Sequence, residues 1–316
     1  MKKFLRITLR TLGVIVAVIA LALATTAVVN VTATTAEAER IESYGQLVPV
    51  DGKNMNVVIS GAGDETIVLL PGFGTAAPAL DFSPLITELA TDYRVVAVEP
   101  FGYGLSDGTE KARTSENIAN EVHEALQALD IDRYVLMGHS IAGIYGLEYT
   151  EHFRDEVTAF VGIDSSVPDQ PGMDKELPLA AMQTAKTLGL MRVLYALSDP
   201  YAGLDFDTET AEQMTMLSAQ NSLSTTYVNE LKHIAENFAA ASARTFPHDL
   251  PVLLFAQAEN PDFATWAELH EEQAASVEHG EVVFLDGDHY LHHTLSPEIA
   301  DDTARFLSAL GSAPAA

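Results

Sequence analysis

Six short runs in this chain have continuously apolar cores: TIVLL (66–70), RVVAV (94–98), YVLM (134–137), AFVGI (159–163), PVLLF (251–255) and VVFL (282–285). A strand with one wet face alternates apolar and polar residues, and these do not. Such runs suit strands of a parallel sheet covered on both faces. The cover must come from helices, and helical patterns fall between the runs. SENIANEVHEALQAL (115–129) puts Ile118, Val122, Ala125, Leu126 and Leu129 on one stripe, with Ser115 as a cap. PEIADDTARFLSAL (297–310) is the last helix. Upstream, QLVPVDGKNMNVVIS reads as two strands joined at Asp51-Gly52, a hairpin signal. A hairpin followed by β-α repeats predicts a doubly wound, mostly parallel α/β sheet.

One interval breaks the rhythm. From Val167 to Asp249 there is no clear strand, only helical segments such as LPLAAMQTAKTLGLMRVLYAL and TYVNELKHIAENFAAA. A helical insertion between two sheet strands is expected to lie as a lid over the carboxyl edge of the sheet, where such folds bind ligands. Its Met and Leu side chains could line an acyl pocket, although plain helix packing accounts for most of them. The expected organisation is an N-terminal segment (1–36), a linker (37–45), an α/β core in two pieces (46–166 and 250–311) and a lid (167–249). No repeat is visible, and the only low-complexity stretch is the Ala-rich tail at 312–316.

The N-terminal segment is a separate element. Lys2, Lys3, Arg6 and Arg10 precede a run with no charged residue from Thr11 to Ala36. About 20 apolar residues span a bilayer, and cations before the run keep the N-terminus in the cytoplasm. The rest of the chain is then exported. The run exceeds a usual signal-peptide core, which favours an uncleaved membrane anchor. The alternative is a secreted protein released by cleavage at the small-residue site Ala36 to Ala38.

Composition excludes several classes. There is no cysteine, hence no disulfide framework, zinc thiolate site or thiol nucleophile. The formal charge is −28, from 45 acidic and 17 basic residues. Such a surface repels phosphate backbones and argues against nucleic-acid binding.

The chemistry starts at GHSIAG (138–143). Ser140 follows the strand YVLM and precedes the helical IAGIYGLEY. That is the context of a nucleophile elbow, a serine on a sharp strained turn whose neighbours two residues away must be small. Gly138 and Ala142 are small. A base is sought after the last strand, where FLDGDHYLHHTLSPEI offers His289, His292 and His293. His289 comes first, in the loop past Leu285, while His292 and His293 fall at the start of the next helix. Asp286 and Asp288 beside these histidines look like a metal cluster, but nothing else in the chain supplies the spacing of an open metal site, so no metal or other cofactor is expected.

With these residues the chain resembles the α/β-hydrolase superfamily from about residue 46 to 310. LLPGFG (69–74) is similar to the loop after the third strand, EPFGYGLSD (99–107) to the segment after the fourth, GHSIAG to the elbow, and GDHYLHH with SPEI to the histidine loop and final helix. The resemblance implies an oxyanion hole from the backbone N–H groups of Phe73 and Ile141. Pro71 stands where many relatives have histidine, which bears on substrate orientation. The triad acid is less direct. In most relatives it follows the strand after the lid, and here PVLLFAQAENPDF puts Asn260 at that place. An amide cannot stabilise an imidazolium as a carboxylate does. Asp164, Glu259 and Asp262 are the replacements. Asp164, at the end of the preceding strand, resembles the arrangement of certain dehalogenases and lipases and is the preferred candidate.

A serine rather than an aspartate nucleophile points to an acyl-enzyme route on a small-molecule acyl substrate, and so to a carboxylesterase or lipase-like serine hydrolase. A serine aminopeptidase of the same fold and a non-catalytic hydrolase-fold binding protein are the alternatives. Mass spectrometry of the mature N-terminus tests the anchor: an intact start is expected, and a start near residue 39 removes it.

Overall fold

The computed structural model describes residues 2–175, 177–198 and 200–311; the Ala-rich tail at 312–316 lies outside the described residues. Helix α1 (Lys2–Ala38) is followed by the hairpin β1 (Gln46–Val50) and β2 (Lys53–Ser60). Asp51 and Gly52 both take left-handed φ values of 46° and 74°, as a tight hairpin turn demands. The chain continues through β3 (Thr66–Leu70), α2 (Pro78–Asp81), α3 (Ser83–Leu89), β4 (Arg94–Glu99), α4 (Ser115–Gln127), β5 (Tyr134–His139), α5 (Ala142–His152) and β6 (Val157–Ile163). Four helices come next: α6 (Leu179–Thr187), α7 (Leu190–Leu197), α8 (Thr208–Asn221) and α9 (Thr225–Ala241). The chain then closes with β7 (Val252–Gln257), α10 (Trp266–Ala275), β8 (Gly280–Leu285), α11 (Leu291–Thr294) and α12 (Ser296–Gly311).

The eight strands form one sheet in the order β1-β2-β4-β3-β5-β6-β7-β8. β1, β2 and β4 pair antiparallel, and β4 through β8 are parallel. The apolar runs of the sequence are the buried strands. On β3, Val68 and Leu70 face a core with Ile118 and Val122 of α4 and Ile144 and Leu147 of α5. Ile67 and Leu69 face the other side, against Leu85 and Leu89 of α3 and Ile299 and Phe306 of α12. β8 departs from the expected pattern. It pairs only with β7, and as an edge strand it is partly exposed throughout. The N-cap of α4 is Thr114 rather than Ser115; its side chain accepts from Asn117 N–H, while Ser115 is buried inside the first turn.

The order of strands reverses between β3 and β5. A crevice opens at such a switch point, beyond the carboxyl ends of the two strands. The loops there are 71–77 after β3 and the turn at Ser140 after β5.

The inserted helices sit above this edge and divide into two kinds. Helix α9 is stitched to the core. Thr226 exchanges hydrogen bonds with both backbone groups of Thr109, at 2.8 and 3.0 Å. Asn237 accepts from Ser115 N–H and donates to the Arg113 carbonyl. Glu230 accepts from the hydroxyls of Tyr103 and Tyr145 at 2.9 and 2.7 Å. Helices α6 and α7 bury no side chain fully. Of the inserted apolar side chains, Met214 and Leu217 of α8 are buried against Ala77.

Candidate active site

Ser140 occupies a two-residue turn between β5 and α5 with φ 54°, a left-handed conformation unusual for a residue with a side chain. Three backbone bonds hold it there. Its N–H donates to the Ile163 carbonyl at 3.2 Å, and its carbonyl accepts from Gly143 and Ser166 N–H at 3.0 and 2.7 Å. The small flanking residues follow from space. A Cβ on Gly138 would sit 2.8 Å from the Ala142 methyl, so the turn holds one methyl group at this contact and Ala142 carries it. A Cβ on Gly143 would meet the Ser166 carbonyl at 2.3 Å.

His289 lies in the loop after β8 and bridges two groups. One ring nitrogen, Nε2, is 3.0 Å from Ser140 Oγ; the other, Nδ1, is 2.6 Å from Asp164 Oδ2. With a proton on Nδ1 donated to the carboxylate, Nε2 is left as acceptor for the serine hydroxyl. The His289 side chain is 44% exposed, whereas Asp164 is fully buried. Asp164 also has a left-handed φ, 41°, at the end of β6. Its Oδ1 accepts from the backbone N–H of Gln257 at 3.0 Å and from the indole of Trp266 at 2.7 Å. A buried carboxylate needs such donors to remain charged.

The other acid candidates do not reach the histidine. Glu259 and Asp262 are exposed in the loop after β7. Asn260, at the expected acid position, folds back on its own loop: it donates to Gln257 Oε1 and accepts from the N–H groups of Asp262 and Phe263. It builds the turn that leads into α10 and Trp266.

The loop after β3 passes against the serine. A Cβ on Gly72 would sit 3.0 Å from Ser140 Cβ and 2.6 Å from His139 Nδ1, so this contact requires glycine. Among the described residues, neither the Phe73 N–H nor the Ile141 N–H donates to another protein group. The Phe73 ring packs on Tyr227 of α9 at 4.6 Å, so an inserted helix props the loop. A cavity of about 460 Å³ lies beside it, lined by Gly74, Thr75, Tyr290 and His293 from the core and by Tyr195 and Tyr201 from the insertion.

Several participants carry no motif in the sequence. His139 is buried under His289, with ring centres 4.7 Å apart, and its Nε2 is 3.1 Å from the His289 carbonyl. Burial and the neighbouring His292 and His289 hold its pKa well below the ordinary value, so it is a neutral support for the loop. Its position directly before Ser140 was the one available hint. Trp266 is the only tryptophan of the chain, but nothing in its local sequence ties it to Asp164.

His292 and His293 belong to α11, and neither is hydrogen-bonded to Asp286 or Asp288, which are exposed. Both histidines instead approach Asp81 of α2, at 2.8 and 2.9 Å. Burial pushes the Asp81 pKa up, but the hydrogen bonds and charges of His292 and His293 outweigh it and hold the carboxyl well below the carboxylate range. The ligand atoms of these three residues lie within 4.8 Å of one another, a grouping that could hold a metal ion. Asp81 bonded to both imidazoles ties α2 to the histidine loop, while His292 Nδ1 has no hydrogen-bond partner among the described residues.

A sheet with this switch point and a serine at its elbow define a class, and comparison with known proteins agrees. The alpha/beta hydrolase family model matches residues 67–302, and the chain belongs to that family. Among curated relatives, the uncharacterised protein YbdG of Bacillus subtilis is 32% identical over 135 residues, 42% of this chain and 42% of that protein. The karrikin insensitive 2 receptor CA of Petunia hybrida is 30% identical over 115 residues, 35% of this chain and 42% of the receptor. The chain thus spans about two fifths of the length of these relatives. Among solved structures, the enol-lactonase from Burkholderia xenovorans LB400 superposes with a TM-score of 0.62 and 19% identity, covering 83% of this chain and 100% of that one. This last likeness is one of fold.

Two measurements check the local reading. Gly138→Ala should lower the denaturant midpoint, at a cost of about 1–3 kcal/mol from overpacking, and adding Ala142→Gly should recover most of it. Asp81 is depressed in the folded state, so its contribution to stability is present above the unfolded carboxylate value and is lost as pH falls through and below that value. Wild type should therefore exceed Asp81→Asn in stability at neutral pH, and the gap should close on acidification; a gap that stays constant with pH contradicts the assignment.

Proposed function

We propose that this protein is a serine hydrolase that cleaves a carboxylic ester or related acyl bond through an acyl-enzyme, with Ser140 as nucleophile, His289 as base and Asp164 as the acid partner. The observation that carries the reading is the bridge from Asp164 through His289 to Ser140, at 2.6 and 3.0 Å. His289 Nε2 takes the Ser140 proton as Oγ attacks the acyl carbonyl. Asp164, held by Gln257 N–H and Trp266, keeps the proton on Nδ1 and stabilises the imidazolium. The N–H groups of Phe73 and Ile141 receive the charge that develops on the carbonyl oxygen. His289 then passes its proton to the departing alcohol. In the second half it deprotonates a water molecule that attacks the acyl-enzyme, and Ser140 regains its proton as the carboxylic acid leaves.

The same proposal places the catalytic domain outside the cytoplasm, tethered by α1. Helix α1 is long and apolar enough to cross a membrane, and Lys3, Arg6 and Arg10 stand in its first turns, ahead of the uncharged run. The helices between β6 and β7 serve as a lid: their Tyr195 and Tyr201 roof the cavity beside the Phe73 loop.

A fluorophosphonate probe tests the catalytic reading. Wild type should label at Ser140, and Ser140→Ala and His289→Ala should not. Asp164→Asn should lower kcat by about 10⁴-fold, the cost of a wrong histidine tautomer in serine hydrolases. Absence of labelling in the folded wild type points to a binding protein instead. Survival of activity in Asp164→Asn, with loss in Glu259→Gln or Asp262→Asn, moves the acid to the loop after β7.

A further inference from the structure

Helix α7 has an apolar face that the described residues leave substantially exposed. Leu190, Val193, Leu194 and Leu197 are spaced i, i+3, i+4, i+7 and form one stripe. They are exposed by 38%, 41%, 51% and 82%. Four aliphatic side chains on one short helix are a costly surface in water, at about 25 cal/mol per Å² of apolar area left wet.

The same helix is fastened to α1. A Cβ on Gly189 would sit 2.5 Å from the Thr26 carbonyl, so the start of α7 lies directly on α1. Asn30 donates to the Lys186 carbonyl at 3.3 Å. Arg192 runs along the outer turns of α1: it donates to Asn30 Oδ1 at 2.8 Å, to Thr34 Oγ1 at 2.8 Å and to both Glu37 oxygens at 2.6 Å. The ion pair is bidentate and largely buried, which makes it a fixed joint rather than a loose surface pair.

This joint sets the height of α7. Thr11 to Asn30 is 20 residues, about 30 Å of helix at 1.5 Å per residue, which is the thickness of the hydrocarbon core. Gly189 rests on the last turn of that span. The Arg192 guanidinium reaches from there toward Glu37, away from the bilayer. At 100° per residue the stripe centres on the side of α7 roughly opposite Arg192, and so away from the joint with α1 and free to meet a surface beside it. Tyr195, on a third side, lines the cavity beside Gly74 and Thr75 and also the neighbouring cleft bounded by Glu37 and Arg40.

We infer that the stripe Leu190, Val193, Leu194 and Leu197 is a membrane-docking face: it sinks into the outer lipid–water boundary of the bilayer that α1 spans and opens the active site toward lipid-dissolved acyl substrates. This rests on the proposed anchor. It goes further by setting where the site faces and what class of substrate reaches it. A substrate leaving the bilayer passes Tyr195 into the cavity beside Phe73 without crossing bulk water. The charge pattern agrees. Outside residues 1–36 the chain carries 13 basic and 45 acidic residues, a net of −32, so an anionic bilayer would repel the domain. The contact must be apolar.

The chain has no cysteine, so single cysteines can be labelled in the full-length protein with an environment-sensitive fluorophore. The variants are Val18→Cys in α1, Leu194→Cys and Leu197→Cys in α7, and Asp301→Cys on α12 as a distant control. Reconstitution is into phosphatidylcholine vesicles containing a doxyl-labelled quencher lipid. The proposal expects blue-shifted, lipid-quenched emission at 18, 194 and 197, and solvent-like emission at 301. Solvent-like emission at 194 and 197 with quenching at 18 overturns the docking face and leaves the anchor standing. Solvent-like emission at all four overturns the anchor and the docking face together. As a functional readout, Leu194→Glu/Leu197→Glu should lower the rate on a vesicle-dissolved long-chain ester relative to a soluble short-chain ester by about tenfold or more, equivalent to ~1.4 kcal/mol of lost interfacial binding. An unchanged ratio contradicts the proposal.

Discussion

Much of the structure depends on one buried carboxylate. Asp164 sits at the carboxyl end of β6 with no exposure to water, and the three hydrogen bonds of its carboxylate join four parts of the fold. The Gln257 backbone ties it to β7, the Trp266 indole to α10, and His289 to the loop after β8. A charge in this place is expensive unless it is well hydrogen-bonded. The sheet order makes that possible, because β6, β7 and β8 are neighbours and their carboxyl ends converge. His289 is therefore oriented by the same contacts that close this end of the sheet.

Around that centre the parts differ in stiffness. The elbow is crowded on every side: Gly138 against Ala142, Gly143 against Ser166, and Gly72 against His139 and Ser140. Strain at Ser140 persists because its neighbours leave no other place for the backbone. The inserted helices are graded. Helix α9 shares buried polar contacts with the core and braces the Phe73 loop. Helix α7 shares its polar contacts with α1 instead.

The fold was legible because strand burial has a local signature. Every apolar run became a strand within two residues of its expected ends, and the hairpin formed at Asp51-Gly52. The elbow was legible for the same reason: steric demands at Gly138 and Ala142 come from neighbours in sequence. The acid was harder. Asn260 marks the place where the carboxylate is usually sought, and only the positions of β6 and His289 reveal that Asp164 is the acid in contact with the histidine. The partner of His292 and His293 could not be read from the sequence, where the nearby acids are Asp286 and Asp288. Their partner, Asp81, lies 211 and 212 residues away in the chain.

The sequence by itself determined what depends on residues close together: the sheet, the elbow, the loop histidine, the membrane-length helix and the acidic, cysteine-free character. Periodicity and local sterics act over a few residues, so they can be read in order along the chain. Tertiary structure alone decided what depends on packing across the chain. It brought Asp164 rather than Glu259 or Asp262 to His289, set Trp266 and His139 around the site, and laid α7 against α1 through Arg192 and Glu37. Those contacts join residues a hundred or more positions apart, where no local pattern records them.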